Sequence, residues 1–316
     1  MNILLTITDN YTPWCGVTLT SLFENNDASF TIYIINPGIQ ETNQRKLQAI
    51  VQKYGHSIHF LTITNEQKGL IEKVHQVSSY HESVLYRLFV AELIDEKITE
   101  ILYLDCDLIV KGSLSEMPHI KKDIALYAVP DLFRMNDYHR LEIDHTLHTY
   151  FNSGVLYINL EYWRQHDIGR KCLHYIYHHK SIIWLPDQDA LNAVLQRKVG
   201  YLHPRYNCMT LFSTKPSYLN NRIWWEDLKK VKEAVNNPVI IHYVGAKPWF
   251  KGCDNLPWRE EWLSYFKKTE WYETISLGYV NGMRGKIKYF AKRFLSLTLP
   301  FIAKKVITDI YEKPQI

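Results

Sequence analysis

The sequence predicts an α/β protein whose central, mostly parallel sheet is flanked by helices. Three observations predict it. Residues 3–8, 30–36 and 58–64 are short, near-continuous apolar runs of the kind that strands buried on both faces require. Segments with helical spacing alternate with those runs, as in a sheet covered from both sides. A chain of 316 residues, 46% hydrophobic and 22% charged, also has enough apolar surface to bury the core of one large unit, with or without a small appendage.

The first run ends in a polar turn, after which Thr12 and Pro13 read as an N-cap followed by proline in the first helical turn, with a helix to about Asn25. Residues 30–36 form the second strand. Leu47, Ile50, Val51 and Tyr54 then recur at i, i+3, i+4 and i+7, and Gly55 ends that helix. After the third strand at 58–64, a helix through Tyr86, Arg87 and Leu88 precedes an apolar strand at 101–110, interrupted by Asp105 and Asp107. Strands follow at 124–129 and 155–160, then a helix past Trp163, another after Pro186, and a strand at 239–243. With no internal repeat or low-complexity linker, the one boundary falls near residue 275 and separates a domain 1–275 from a C-terminal segment 276–316.

That boundary is drawn by charge. Residues 1–278 hold 29 Lys/Arg against 31 Asp/Glu, whereas 279–316 hold 8 against 2, so the net +4 belongs to the tail. From Ile275 to Thr308 there is no acid, and Arg284, Lys286, Lys288, Lys292, Arg293, Lys304 and Lys305 interleave with Phe, Leu and Ile. This composition fits short helices lying on an anionic lipid surface, or a docked, solvated helix pair. The body carries no basic stripe, so nucleic acid is not an expected partner. Five cysteines without a CxxC pair read as reduced thiols of a cytosolic protein. The N-terminus lacks the basic region of a signal peptide, and the longest charge-free apolar stretch near the C-terminus, 294–303, is half of the roughly 20 residues a membrane span needs. The expected location is the cytoplasm, peripherally on the inner face of the cytoplasmic membrane.

In such sheets ligands bind beyond the carboxyl ends of the strands. The first strand exits into Thr8, Asp9, Asn10 and Tyr11, with no glycine-rich phosphate cradle and no Walker lysine. A nucleotide bound there needs its phosphate charge met otherwise, and a metal is the obvious means. Asp105-Cys106-Asp107 supplies it: in an extended segment the two carboxylates face one side and Cys106 the other. Two acids amid apolar residues are costly to bury unless they are paired or bind a metal. The cluster Asp187-Gln188-Asp189 opens a predicted helix and reads equally as N-terminal capping and as part of a site. His242 ends a strand, with Gly245 permitting close backbone approach and Lys247 able to meet a phosphate. His174 and His178 share a helix face but lack a third ligand for zinc.

Taken in order, Asp9-Asn10-Tyr11, Tyr86-Arg87-Leu88, Tyr103-Leu104-Asp105-Cys106-Asp107, Phe151-Asn152-Ser153-Gly154-Val155, the stretch from Asp187 to Asn192 and that from His242 to Trp249 resemble glycosyltransferase family 8 over about 245 residues. These are the retaining sugar transferases of bacterial lipopolysaccharide and, more distantly, glycogenin. The resemblance implies a GT-A nucleotide-sugar fold, UDP-galactose or UDP-glucose as donor, a cell-surface glycan or glycolipid acceptor, and manganese, or magnesium, held by Asp105, Asp107 and His242. It further implies that Thr8, Asp9, Asn10 and Tyr11 line the uridine site, with Cys106 within the donor motif. Gly245 and Lys247 would meet the diphosphate, and Arg87, Asp131, Asn152, Asp187 and Gln188 the transferred sugar.

The chemistry can be argued separately. A divalent ion and a lysine stabilise a departing diphosphate without an acid to protonate it, and an imidazole among the ligands favours manganese over magnesium. Retention of configuration needs either a nucleophile opposite the leaving group or attack from the face of departure. Asp189 is a nucleophile if it can reach, Gln188 is a poor one, and front-face attack with electrostatic support from Gln188 is the preferred reading, with Asp131 beside it. A nucleotidyltransferase or phosphohydrolase using the same carboxylate pair is the alternative.

Overall fold

The computed structural model describes residues 1–75, 81–134, 137–144, 149–214 and 225–277, so all but the first two residues of the expected segment 276–316 lie outside the described residues. In chain order the strands are β1 (Asn2–Thr6), β2 (Thr31–Ile35), β3 (Ser57–Leu61), β4 (Glu100–Leu104), β5 (Leu108–Val110), β6 (Leu126–Pro130), β7 (Phe151–Asn159), β8 (Val199–Tyr201), β9 (Cys208–Met209) and β10 (Ile240–His242). Seven form one sheet in the order β3-β2-β1-β4-β7-β6-β8, and three form a second, β5-β10-β9. In the large sheet only β7 runs against the rest, pairing antiparallel with both β4 and β6. The expected mostly parallel sheet flanked by helices is what forms.

Both faces are covered, which is why the central strands β1, β4 and β6 are apolar along most of their length. On one side the helix Thr12–Glu24 carries proline in its first turn and is buried from Thr12 through Phe23, wedged between the sheet and the helix Arg259–Phe266. Gly16 is needed there, since a Cβ would come within 2.7 Å of the Trp271 ring. On the other side Leu88, Phe89, Trp163, Cys172, Ile176 and Leu191 pack against Leu4, Tyr103, Leu126 and Leu156. Ile275 and Leu277 are still buried, so the packed body reaches at least to 277. All five cysteines are buried, and none is in a disulfide. Among the described residues no helix is long and apolar enough to cross a membrane.

Several local expectations differ from the structure. The run 101–110 is two strands in different sheets, because the chain bends at Asp105–Asp107 and passes from β4 to β5. The stretch around Tyr86 to Leu88 is a 3-10 helix, Glu82–Phe89, rather than an α-helix. The helix Asn65–His75 and the short strands β8 and β9 were not expected: Gly69 breaks the helical signal, and two- or three-residue strands are too short to show a period.

Candidate active site

The bend between β4 and β5 puts two carboxylates at a sheet exit, and β10, antiparallel to β5 with His242 opposite Leu108, delivers the imidazole beside them. His242 Nε2 lies 3.1 Å from Asp107 Oδ1 and 3.9 Å from Asp105 Oδ2. One ligand atom from each of the three residues falls within 4.8 Å of the others. β7 passes so close beneath that only glycine fits at 154: a Cβ would sit 2.3 Å from His242 Cε1 and 2.9 Å from Asp105 Oδ2. On the far side Lys247 pairs with Asp107 Oδ2 and donates to the Tyr243 carbonyl at 2.8 Å. Burial disfavours the charged form of Asp107, but Lys247 and His242 outweigh it and hold this carboxyl well below its ordinary range.

The donor set fits a divalent cation. Asp107 Oδ1 is buried and has no hydrogen-bond partner, a costly state for a carboxylate oxygen and the state a metal ligand requires. Imidazole with two carboxylates suits manganese, and the carboxylates would also accept magnesium. The tautomer of His242 is set by its neighbours. Asn152 Oδ1 accepts the Gly154 backbone N–H at 3.0 Å and the Asn207 Nδ2 amide at 2.9 Å, which turns Asn207 Oδ1 towards His242 Nδ1, 2.9 Å away. Nδ1 therefore carries a proton, and Nε2 is the ring nitrogen that faces the carboxylates and is left to bind a cation.

A second cluster adjoins the first. Arg87 reaches from the 3-10 helix, donating to Asp105 Oδ1 at 3.0 Å and to the Ser153 carbonyl at 2.9 Å, and pairing with Asp187 at 3.3 Å, with its guanidinium 4.1 Å over the Tyr103 ring. Gln188 Oε1 accepts from the Ser153 N–H at 3.0 Å, and its Nε2 donates to Asp131 Oδ2 at 3.2 Å. Asn152 Nδ2 bridges Asp131 and Gln188 at 3.4 and 3.3 Å. Burial raises the Asp131 carboxyl despite the donors from Asn152 and Gln188 and the nearby Arg134. Asp187 is likewise raised by burial, against Arg87 and the Ser153 hydroxyl and with the help of Asp105.

Of the residues expected at the site, Asp105, Asp107, His242, Lys247, Arg87, Asp131, Asn152, Asp187 and Gln188 form this connected network. Tyr11 joins it: burial, then Cys106, Asp107 and Asp105, raises its phenol. Thr8 and Asn10 lie on the same exit loop, Asn10 exposed. Asp9 is occupied elsewhere, its Oδ1 accepting from the Gln40 N–H at 2.8 Å and Asn43 at 2.9 Å and so tying the loop to the helix Glu41–Lys53. Gly245 is exposed at φ +81°, a left-handed turn suited to glycine. Cys106 points into the apolar core, as expected of the residue between the carboxylates.

Asp189 is the expectation the structure corrects. Its side chain has no exposed surface, and its oxygens accept from both Arg140 Nη atoms at 2.9 Å, from the Tyr150 hydroxyl at 2.6 Å and from the N–H groups of Trp184 and Leu185 at 2.7 and 2.9 Å. A carboxylate so saturated is no free nucleophile. The acidic cluster thus divides: Asp189 reaches back to cap the helix Pro186–Val194, while Asp187 and Gln188 face the site. The rings of His174 and His178 lie 4.3 Å apart, tilted by 48°, with no third ligand among the described residues. Sequence reasoning assigned no role to Ser153, Gly154, Tyr103 or Asn207. The first three stood inside quoted motifs, whereas Asn207 carries no local signal.

Residues 2–253 match the family model described as Glycosyl transferase family 8. The chain belongs to glycosyl transferase family 8. It is 34% identical to General stress protein A of Bacillus subtilis over 283 residues, covering 86% of this chain and 94% of that one. It is 25% identical to the lipopolysaccharide 1,2-glucosyltransferase of Escherichia coli K12 over 317 residues, covering 93% and 91%. Among solved structures it superposes on the galactosyltransferase LgtC, in complex with donor and acceptor sugar analogues, with a TM-score of 0.75 at 26% identity, covering 86% of this chain and 99% of LgtC. The GT-A fold is thereby established, and a glycosyltransferase takes precedence over a nucleotidyltransferase or phosphohydrolase.

Proposed function

We propose that the protein transfers galactose or glucose from a UDP-sugar to a hydroxyl of a cell-surface glycan or glycolipid, with retention of configuration and dependence on a divalent cation. The observation that carries this reading is the adjacency of two differently built clusters: an ion site of Asp105, Asp107 and His242, and a hydrogen-bonding pocket of Arg87, Asp131, Asn152, Asp187 and Gln188. Manganese is favoured there, with magnesium the alternative. When bound, the cation would supply charge stabilisation for a departing diphosphate. Lys247, already beside Asp107, adds a second positive charge on the same side, and Tyr11 walls the exit loop. Thr8, Asp9 and Asn10 extend that wall towards the nucleoside.

On the sugar side Asp131 and Asp187 offer acceptors to hydroxyls, and the two donors on Gln188 Oε1 fix the amide near the reacting carbon. With Asp189 withdrawn into its Arg140 pair, front-face attack with Gln188 as electrostatic support is the favoured route. Relatives named as lipopolysaccharide glucosyl- and galactosyltransferases support a lipid-linked bacterial glycan as acceptor. The basic residues between Ile275 and Thr308 would bring the enzyme to the inner face of the cytoplasmic membrane, each contributing on the order of 1 kcal/mol near an anionic surface. A screen of UDP-hexoses with Mn²⁺, Mg²⁺ or EDTA, read by UDP release and mass spectrometry of the glycan product, tests the reading. UDP-galactose and UDP-glucose both remaining intact with Mn²⁺ present would refute it.

A further inference from the structure

Trp184 is more exposed than the other tryptophans whose burial the structure describes. Trp14, Trp163, Trp249, Trp262 and Trp271 are buried to within a few per cent and Trp258 is partly buried, whereas Trp184 is 59% exposed. An indole left in water costs hydrophobic free energy, so its setting matters. That setting is rigid. Asp189 Oδ2 accepts the Trp184 N–H at 2.7 Å and that of Leu185 at 2.9 Å, and Asp189 is itself immobilised by Arg140 and Tyr150. Arg140 stacks its guanidinium 4.3 Å from the indole centroid, and Arg134 lies at 5.8 Å. Two cations and a buried carboxylate thus hold the ring in one orientation, with much of its surface still open.

The ring also borders the sugar-binding cluster. Arg134 donates its backbone N–H to the Asp131 carbonyl at 3.0 Å, and its charge acts on the Asp131 carboxylate. Trp184 precedes Asp187 and Gln188 by three and four residues at the entrance to the helix Pro186–Val194. A neutral pyranose has an apolar C–H face and a polar rim. A fixed aromatic surface takes the face at little entropic cost, and neighbouring guanidinium groups suit the rim.

We infer that Trp184 is the stacking platform for the acceptor sugar, with Arg140 and Arg134 holding it and bordering the hydroxyls. The inference rests on reading the adjoining cluster as the place where the transferred sugar sits. It also gives Asp189 a purpose, as a positioning residue acting through the Trp184 backbone.

The test uses the full chain and its Trp184→Ala and Trp184→Phe variants with methyl β-galactoside and methyl β-glucoside as probes. Ligand-observed NMR measures glycoside binding without any donor, and UDP release from UDP-hexose gives KM for glycoside and donor. Trp184→Ala is expected to weaken glycoside binding and raise glycoside KM about tenfold, with donor KM moving less than about twofold, and Trp184→Phe to recover most of the loss. Glycoside affinity unchanged in Trp184→Ala, or no glycoside binding by the parent protein, overturns the inference. If no variant releases UDP from a UDP-hexose, the donor reading fails, and the NMR comparison still decides for or against the platform.

Discussion

The two halves of the site are built on opposite principles. Around Asp105, Asp107 and His242, ligand atoms converge: Asp107 Oδ1 is buried without a hydrogen-bond partner, and His242 Nε2 lies 3.1 Å from it. Around Asp131, Asn152 and Gln188, both oxygens of the Asp131 carboxylate and both ends of each amide have partners. The first half offers the donor set of a cation site, and the second is a hydrogen-bonded scaffold. A mutation should therefore act mainly on ligand binding in the first half and on folding as well as chemistry in the second.

Removing the cation should give the largest effect. EDTA treatment, or Asp105→Asn, is expected to lower transfer about a thousandfold or more, since the charge stabilisation at stake is several kcal/mol. Asp105→Asn should also cost some stability, because Arg87 and the Tyr103 hydroxyl donate to Asp105 Oδ1. Full-rate transfer by metal-free protein would show that the first half is not a metal site.

Gln188→Ala should come next, lowering kcat about a hundredfold with a smaller change in donor KM, if its amide acts at the reacting carbon as proposed. Asp189→Asn, one residue on, is the contrast. It breaks a buried pair with Arg140 and should lower stability by about 3 kcal/mol in denaturant melts, while the folded fraction keeps most of its kcat. A kcat loss in Asp189→Asn as large as in Gln188→Ala would restore Asp189 as a nucleophile.

How much of this was legible follows from where the information lies along the chain. The Asp105 and Asp107 pair was readable because the two carboxylates are two residues apart in an apolar stretch, and His242 joined them through the family resemblance. The bend that separates β4 from β5 was not, since each flank is apolar and only the sheet pairing reveals that they part. The roles of Asp187, Gln188 and Asp189 could not be divided from sequence: which carboxylate turns inward depends on Arg140 and Tyr150, nearly 50 and 39 residues away. Asn207, which fixes the His242 tautomer, sits in a segment without motif or period. Loops such as 75–83 and 208–222, of the kind that build acceptor pockets, carry no motif, and residues 76–80 and 215–222 of them lie outside the described residues.

Gly154→Ala tests the closeness of the two halves. Its new methyl would press on His242 Cε1, so metal affinity measured by direct titration should fall about 10- to 100-fold, with transfer falling in parallel. Unchanged affinity would mean that β7 and β10 can separate without cost.

The smallest effect is a slope. Because burial raises the Asp131 carboxyl, the native protein binds this proton more tightly than the unfolded chain does. Wherever the native state holds more protons, stability falls as pH rises. The loss begins at the ordinary carboxylate value and continues until pH has passed the raised native one. Asp131→Asn removes the titration while keeping the shape, so its stability relative to the parent should grow as pH increases from about 4 to about 7. Its transfer rate should drop nonetheless, since a carboxylate that costs stability when ionised is retained for what it does to sugar hydroxyls. Urea unfolding of both proteins across that range reads the difference. A gap that stays flat or narrows with rising pH would show that the donors from Asn152, Gln188 and Phe133 outweigh burial, and the second half would then be as well suited to a charge as the first.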